Sequence, residues 1–379
     1  MALSHFTHII PIFQNIFFIL IGCFGMGFLI GFHELGHFLF AKMFKIRTPS
    51  FSIGFGPKVI SKKIGDTVFS LSAIPLGGYV EIAGAAEIGQ GDQKEAHALD
   101  EGSFATKPFY QKFLVMIGGI LFNLIFAYTA FVFLFMTGIP KTPLMQKPII
   151  AAIQPNSPAE QYDLHIGDRI VAIQNNSIDN SIHKLQTFLS PLALQEAMLT
   201  IERDNQIIEK QMIIGEKVVN GTSMGMLGVE FDSTATEPQP FFEAFKQGIA
   251  ATNTWIKNTM IGFTQLKKTH GEIAGPVMIV AMTTKAASSG IKIFLLLLAI
   301  ISINLAVLNL IPLPILDGGQ ILFYSIEALI GRPLPIKIRE YIHIATWIMF
   351  IILFLYLSAK DIFRLVGPYI STILAYFGK

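Results

Sequence analysis

The chain has 379 residues, of which 52% are hydrophobic and only 14% charged, with a mean hydropathy of +0.56. Those values exclude an ordinary soluble globular protein and imply a multi-pass membrane protein with a soluble part. A net charge of +2 without a basic-aromatic patch gives no footing for nucleic acid. The single cysteine, Cys23, excludes a disulfide within the chain and argues against thiolate ligation of a metal.

Four apolar stretches are long enough to cross a bilayer, at about 9–44, 109–137, 291–311 and 341–357. No Lys or Arg precedes Lys42, so the first stretch lacks the basic start of a cleavable signal and is expected to be retained as a helix. Lys42, Lys45, Arg47, Lys58, Lys62 and Lys63 all follow it. The excess of basic residues then puts the N-terminus outside and the first loop in the cytoplasm. Four spans return the C-terminus to the outside; Arg332, Lys337 and Arg339 agree with this orientation, whereas Lys360 and Arg364 oppose it.

The first span carries Gly31-Phe32-His33-Glu34-Leu35-Gly36-His37-Phe38. His33 and His37 are four residues apart, so a helix points both imidazoles off one face. Glu34 lies beside the first of them, within reach of a water held by the same ion. This is the His-Glu-x-x-His arrangement of zinc hydrolases: two ligands and a general base. Three ionisable groups in one turn of an apolar helix are costly and mark a functional site.

The loop at 46–107 contains β-like runs at 48–61 and 67–82. They read as hairpins, with Gly54-Phe55-Gly56-Pro57 and Pro75-Leu76-Gly77-Gly78 as turns. Their apolar character suggests that they dip toward the membrane, where an edge strand could pair with an extended substrate. The segment 83–102 is small and polar and reads as a flexible loop. The second span carries Gly118-Gly119 and Asn123, a pattern that allows close helix approach and brings one amide into the bundle.

From 148 to about 232 the composition is that of a soluble β-rich domain. Ser157 and Pro158 start a short helix, Gly167-Asp168 turns into a strand, and 182–189 reads as a helix. A hairpin turns at Asp204-Asn205, and Met226-Leu227-Gly228-Val229-Glu230-Phe231 closes the domain. The run resembles a PDZ domain in the permuted order found in bacterial proteases. That likeness implies that Leu227, Gly228 and Val229 line a peptide groove. Asp163 stands where that family usually has glycine. The segment 241–268, with Trp255 among polar residues, reads as an amphipathic helix at the outer interface, and Gly275-Pro276 breaks the chain before the third span.

The third span ends in Asn309-Leu310-Ile311-Pro312-Leu313-Pro314-Ile315-Leu316-Asp317-Gly318-Gly319. Catalytic zinc takes three protein ligands and keeps one position open. Asp317 is the only acid between Glu272 and Glu327 and follows a Pro-interrupted segment of the kind that lines polar cavities. His33 and Asp317 each come roughly 22–26 residues into spans that run the same way, about 35 Å at helical rise, so Asp317 is the expected third ligand. Asn309 lies two turns earlier, within hydrogen-bonding reach of a substrate backbone.

Taken together, His-Glu-Leu-Gly-His and the Asn-Leu-x-Pro-x-Pro-x-Leu-Asp-Gly-Gly segment resemble the site-2 protease family of intramembrane zinc metalloproteases, most of all its bacterial regulator-of-sigma-E protease branch. The likeness covers most of the chain. It implies a bacterial inner-membrane endopeptidase that uses Zn²⁺ held by His33, His37 and Asp317, with Glu34 as base and Asn309 and Asn123 near substrate. Its expected substrates are single-span proteins already trimmed outside, such as anti-sigma factors, or signal-peptide remnants. Two departures stand out: one PDZ-like domain where well-known members have two, and no proline between Gly119 and Asn123. The expected fold class is a polytopic α-helical membrane protein with N-out/C-out topology, a membrane-associated β-hairpin loop and an inserted extracytoplasmic PDZ domain. Its parts are a membrane core at 1–147 and 291–379, the PDZ domain at 148–235 and an interfacial region at 236–290. A metal transporter or an inactive membrane chaperone is the rival reading. A transporter, however, would spread ionisable residues along several spans, and an inactive relative would have lost Glu34 or a ligand.

Overall fold

A run of apolar residues with no polar face makes a helix that is buried all round or sits in lipid, and the first such run forms α1 (Ala2–Met43). The structure, a computed structural model, describes residues 2–85, 95, 98–142, 145–178, 182–219, 222–233, 235–264, 274–332 and 334–377. Among the described residues, four helices are long and apolar enough to cross a membrane: Ile16–Met43, Phe109–Thr137, Ile291–Asn309 and Arg339–Val366. Chain contacts divide the molecule into two compact units, Met1–Phe133 with Ile273–Lys379, and Leu134–Glu272.

In the first unit α1 is followed by β1 (Ser50–Ile64) and β2 (Thr67–Glu81). These are one long hairpin rather than two short ones. The strands close at Ile64↔Thr67 around Gly65-Asp66, where Gly65 takes φ +60° in the first central position of a two-residue hairpin turn. The segment at 54–57 instead bends β1: the register shifts between Ile53 and Phe55, and residues 50–53 lie opposite both 68–71 and 78–81. This folds the hairpin back on itself and leaves 78–81 as an edge. Phe51, Val80 and Ile82 pack there with Ala41, Phe104, Val115 and Met116 in a buried cluster. Of the polar stretch at 83–102, residues 86–94, 96 and 97 fall outside the described residues. Its ends are tied to the start of the loop, since Arg47 N–H donates to Gly102 O and Ala83 N–H to Arg47 O, while the Arg47 guanidinium bonds Asp100 and Glu95.

The second span is α2 (Phe109–Thr137). It crosses α1 at glycines: a Cβ on Gly36 would lie 2.2 Å from Gly118 O, an approach only paired glycines allow.

The second unit contains β3 (Ile150–Ile153), α3 (Pro158–Gln161), β4 (Arg169–Ile173), β5 (Asn176–Ser177), α4 (Ile182–Leu189), β6 (Glu196–Arg203), β7 (Gln206–Ile213), β8 (Gly215–Val219), β9 (Thr222–Met226) and β10 (Val229–Phe231). Local chemistry sets these boundaries. Ser157 caps α3 with Pro158 at its first position, and Asp163 adopts φ +55° in place of glycine. Asp204 and Asn205 both take positive φ between β6 and β7, as a type I′ hairpin turn requires. The sheet order is β5-β4-β6-β7, with β10 paired to β3 and β8 to β9. One core of buried Ile, Leu, Ala and Met fills it, including Ile170, Leu185, Leu199 and Leu227. After this core, α5 (Phe241–Thr264) begins next to the end of α2, where Gln239 N–H donates to Phe135 O. Phe241, Phe242 and Phe245 are exposed on it.

The chain then returns to the first unit. Gly275-Pro276 does not merely break the chain; it starts a helix, α6 (Pro276–Ser288). Proline at the first helical position wastes no N–H, and the buried Asp361 carboxylate accepts from the Gly275 and Met278 amides. α7 (Ile291–Asn309) is the third span. An irregular stretch at 310–316 leads to α8 (Asp317–Ile330), which ends at Gly331 with φ +73°. α9 (Ile336–Phe377) is the last helix.

Candidate metal centre

The site is assembled from three helices of the first unit. His33 and His37 project from one face of α1, and their Nε2 atoms are 3.1 Å apart. Asp317, the first residue of α8, brings Oδ2 to 3.2 Å from His33 Nε2 and Oδ1 to 3.4 Å from His37 Nε2. All three residues are largely buried, and their ligand atoms lie within 4.8 Å of one another. The start of α8 supports a carboxylate here, because a helix N-terminus carries partial positive charge.

The donor set fits zinc. Ligands about 2.0–2.1 Å from a tetrahedral ion sit roughly 3.3 Å apart, close to the separations found. Asp317 Oδ2 is buried with no hydrogen-bond partner, an expensive arrangement unless something else takes its lone pairs. The His37 Nδ1–H donates to Val115 O across 2.8 Å, which fixes the tautomer that turns the Nε2 lone pair inward. The second span leaves the room. A Cβ on Gly119 would stand 2.5 Å from His37 Nε2 and 2.7 Å from His33 Nε2, so any larger residue would fill the space between the rings.

Asp317 reaches this point because the chain before it is unwound. Gln320 Nε2 donates to Pro314 O across 2.9 Å and braces the loop from the first turn of α8. A Cβ on Gly318 or Gly319 would meet the carbonyls of Leu310 or Leu313 at 2.4 or 2.0 Å. The glycines after Asp317 thus let the helix start pack directly on the loop.

Glu34 is 9% exposed, and its Oε2 accepts the Val80 N–H at 3.1 Å. It lines a cavity of about 370 Å³ together with His33, His37, Asp317, Asn309 and Asn123. Gly77, Gly78 and Val80 of β2 form one wall, while Trp347 and Phe350 of α9 form another. Asn123 is fully buried, and its amide meets His33 Nδ1 at 3.1 Å. Asn309 is the last residue of α7.

Leu227, Gly228 and Val229 belong to the other unit. Leu227 is 2% exposed with its side chain in the core, and its carbonyl accepts from Ala159 N–H, while that of Gly228 accepts from Gln154 N–H. Val229 lies opposite Ile153 in the β10–β3 pair.

The sequence motifs did not indicate Gly119 as the spacer between the rings, the Val80 amide on Glu34, or the α9 aromatics in the cavity wall. Only Gly119 left a signal, being one helical turn before Asn123.

Comparison with known proteins points the same way as the geometry. A sequence model described as peptidase family M50 matches residues 21–355. A Campylobacter jejuni protein named as a candidate zinc metalloprotease is 32% identical over 358 residues, covering 90% of this chain and 92% of its own. A Helicobacter pylori protein named in the same way is 32% identical, covering 90% of this chain and 97% of its own. The zinc metalloprotease RasP of Geobacillus kaustophilus is 28% identical, covering 89% and 95%. Among solved structures, the PDZ domain of an SdrC-like protein from Listeria monocytogenes aligns at 15% identity and a TM-score of 0.20. It covers 23% of this chain and 88% of its own, a likeness too slight to carry the assignment of the β-rich unit.

Proposed function

This chain belongs to peptidase family M50 and is a membrane zinc metalloprotease, and from that premise we propose that it cuts single-span membrane proteins within the bilayer. The observation that carries the reading is the convergence of His33, His37 and Asp317 on one buried point beside Glu34, with both histidines on a helix apolar enough to span.

His33, His37 and Asp317 hold the ion in this reading. Bound zinc supplies Lewis-acid polarisation of a peptide carbonyl and makes water nucleophilic near neutral pH. Glu34 takes the proton from the attacking water and delivers it to the leaving amide nitrogen. The Val80 N–H holds Glu34 in place for both transfers. A transmembrane helix hides its carbonyls in its own ladder, so substrate must enter extended. The edge at 78–81 offers an extended segment main-chain partners of no sequence preference, and Asn309 offers a further hydrogen bond to its backbone.

The wider assignment follows from the same premise. The chain resides in the bacterial inner membrane with N-out/C-out topology, and the β-rich unit is a PDZ domain on the extracytoplasmic side. Leu227–Val229 border the peptide groove of that domain, and α5 lies at the interface on its exposed phenylalanines. Substrates are proteins already shortened outside, such as anti-sigma factors, or signal-peptide remnants. The test is to express the Glu34→Gln chain in membranes, capture what stays bound, and identify it by mass spectrometry. Single-span proteins that the wild-type chain cleaves inside their span support the reading. Capture of soluble proteins alone, or unchanged cleavage by Glu34→Gln, contradicts it.

A further inference from the structure

Resting on the reading that zinc is held at His33, we propose that Asn123 is a positioning residue: its amide oxygen accepts the His33 Nδ1–H and so turns the Nε2 lone pair toward the metal. The Asn123 amide lies 3.1 Å from His33 Nδ1 through its Nδ2 end, and its Oδ1 is buried with no hydrogen-bond partner. With Nδ2 donating to Nδ1, the imidazole proton sits on Nε2 and has His37 Nε2 as its acceptor, 3.1 Å away. That tautomer closes a hydrogen-bond chain, but it occupies the lone pair a metal needs. A half turn of the amide exchanges its ends. Oδ1 then gains a donor, the imidazole proton sits on Nδ1 instead, and Nε2 is free to ligate.

The surroundings suit this role. His37 already has the equivalent bond, from its Nδ1–H to Val115 O, so α2 supplies an acceptor to each ring. Asn123 itself is fixed from a third span, because the buried Ser302 hydroxyl of α7 donates to its backbone carbonyl across 2.9 Å. Gly119, one turn earlier on α2, clears the space between the rings. The second span thus provides the floor of the metal site without contributing a ligand. An amide that only glued helices together would have no reason to aim at the outer nitrogen of a ligand ring.

The experiment measures zinc affinity by chelator competition on the purified full-length chain in detergent, for wild type, Asn123→Leu, Asn123→Asp and His33→Ala. Leucine keeps the volume and removes the acceptor, and zinc should bind about 10–100-fold more weakly, the usual cost of losing such a partner. Aspartate only accepts, and it should hold zinc at least as tightly as asparagine. Asn123→Asp binding as poorly as Asn123→Leu, or Asn123→Leu binding within threefold of wild type, overturns the proposal. Should the leucine variant fail to fold, the aspartate variant decides alone: affinity more than tenfold below wild type overturns it. His33→Ala separates the premise from the inference. If it binds zinc as wild type does, the metal assignment itself fails; if it loses zinc while both Asn123 variants keep it, only the role of Asn123 fails.

Discussion

The Val80 backbone N–H donates to Glu34 Oε2 across 3.1 Å, so the edge strand that borders the cavity also orients the proposed base. Val80 lies opposite Phe51 in the sheet, yet its N–H points away from that neighbour and into the site. Replacing Val80 with proline removes this donor without removing a ladder bond, a change that edge strands tolerate. Cleavage of a transmembrane substrate should fall about 10–100-fold, in line with losing an orienting partner, while zinc content stays at the wild-type level. Unimpaired cleavage would mean that Glu34 needs no such support.

Gly119 separates space from chemistry. A methyl group there would meet both Nε2 atoms at under 3 Å, so Gly119→Ala should lose most of its zinc while keeping its helical circular dichroism. Gly118→Ala meets Gly36 O and the Phe40 ring instead. It should lower thermal stability through the α1–α2 crossing, with the metal retained in the protein that remains folded.

The β-rich unit carries a buried ion pair with a clear pH signature. Burial alone would raise the Asp168 carboxyl, but the Arg203 guanidinium and the His165 amide together hold it below the usual aspartate range. A depressed carboxyl contributes stability in full above the ordinary aspartate value of about 3.9 and loses it as pH falls through the lowered folded value. Asp168→Asn should therefore destabilise this unit by about 3 kcal/mol near pH 7, the low end for a broken buried pair, since Arg203 retains some exposure. Hydrogen exchange of the β4 and β6 amides at several pH values should show the gap to wild type closing on the acid side of the carboxyl range. A gap that is constant with pH would contradict this.

The cluster of His33, His37 and Asp317 was legible because the chemistry is written in residue type and spacing. His33 and His37 share a helix face by arithmetic, and Asp317 is the one acid available in its stretch. Turn residues such as Asp204-Asn205 and the Ser157-Pro158 start were legible for the same local reasons. What stayed hidden depended on tertiary partners. Gly54 and Gly56 look like turn residues but bend a strand, while the true turn is at Gly65-Asp66, outside both glycine-rich runs. Gly275-Pro276 signals both an end and a beginning, and the cap that starts α6 comes from Asp361, which is 86 residues away. The β8–β9 pair leaves little mark either, since 215–226 carries no strong alternation. No periodicity tells that Gly119 faces two imidazoles.

The central claim is that α1 and α8 together hold one zinc ion, and the most direct test is the metal content of the purified Asp317→Ala chain by mass spectrometry. The account predicts about one zinc per wild-type chain, as a three-ligand site requires, and a large loss in the variant. Equal zinc in the two proteins, both folded, would contradict it.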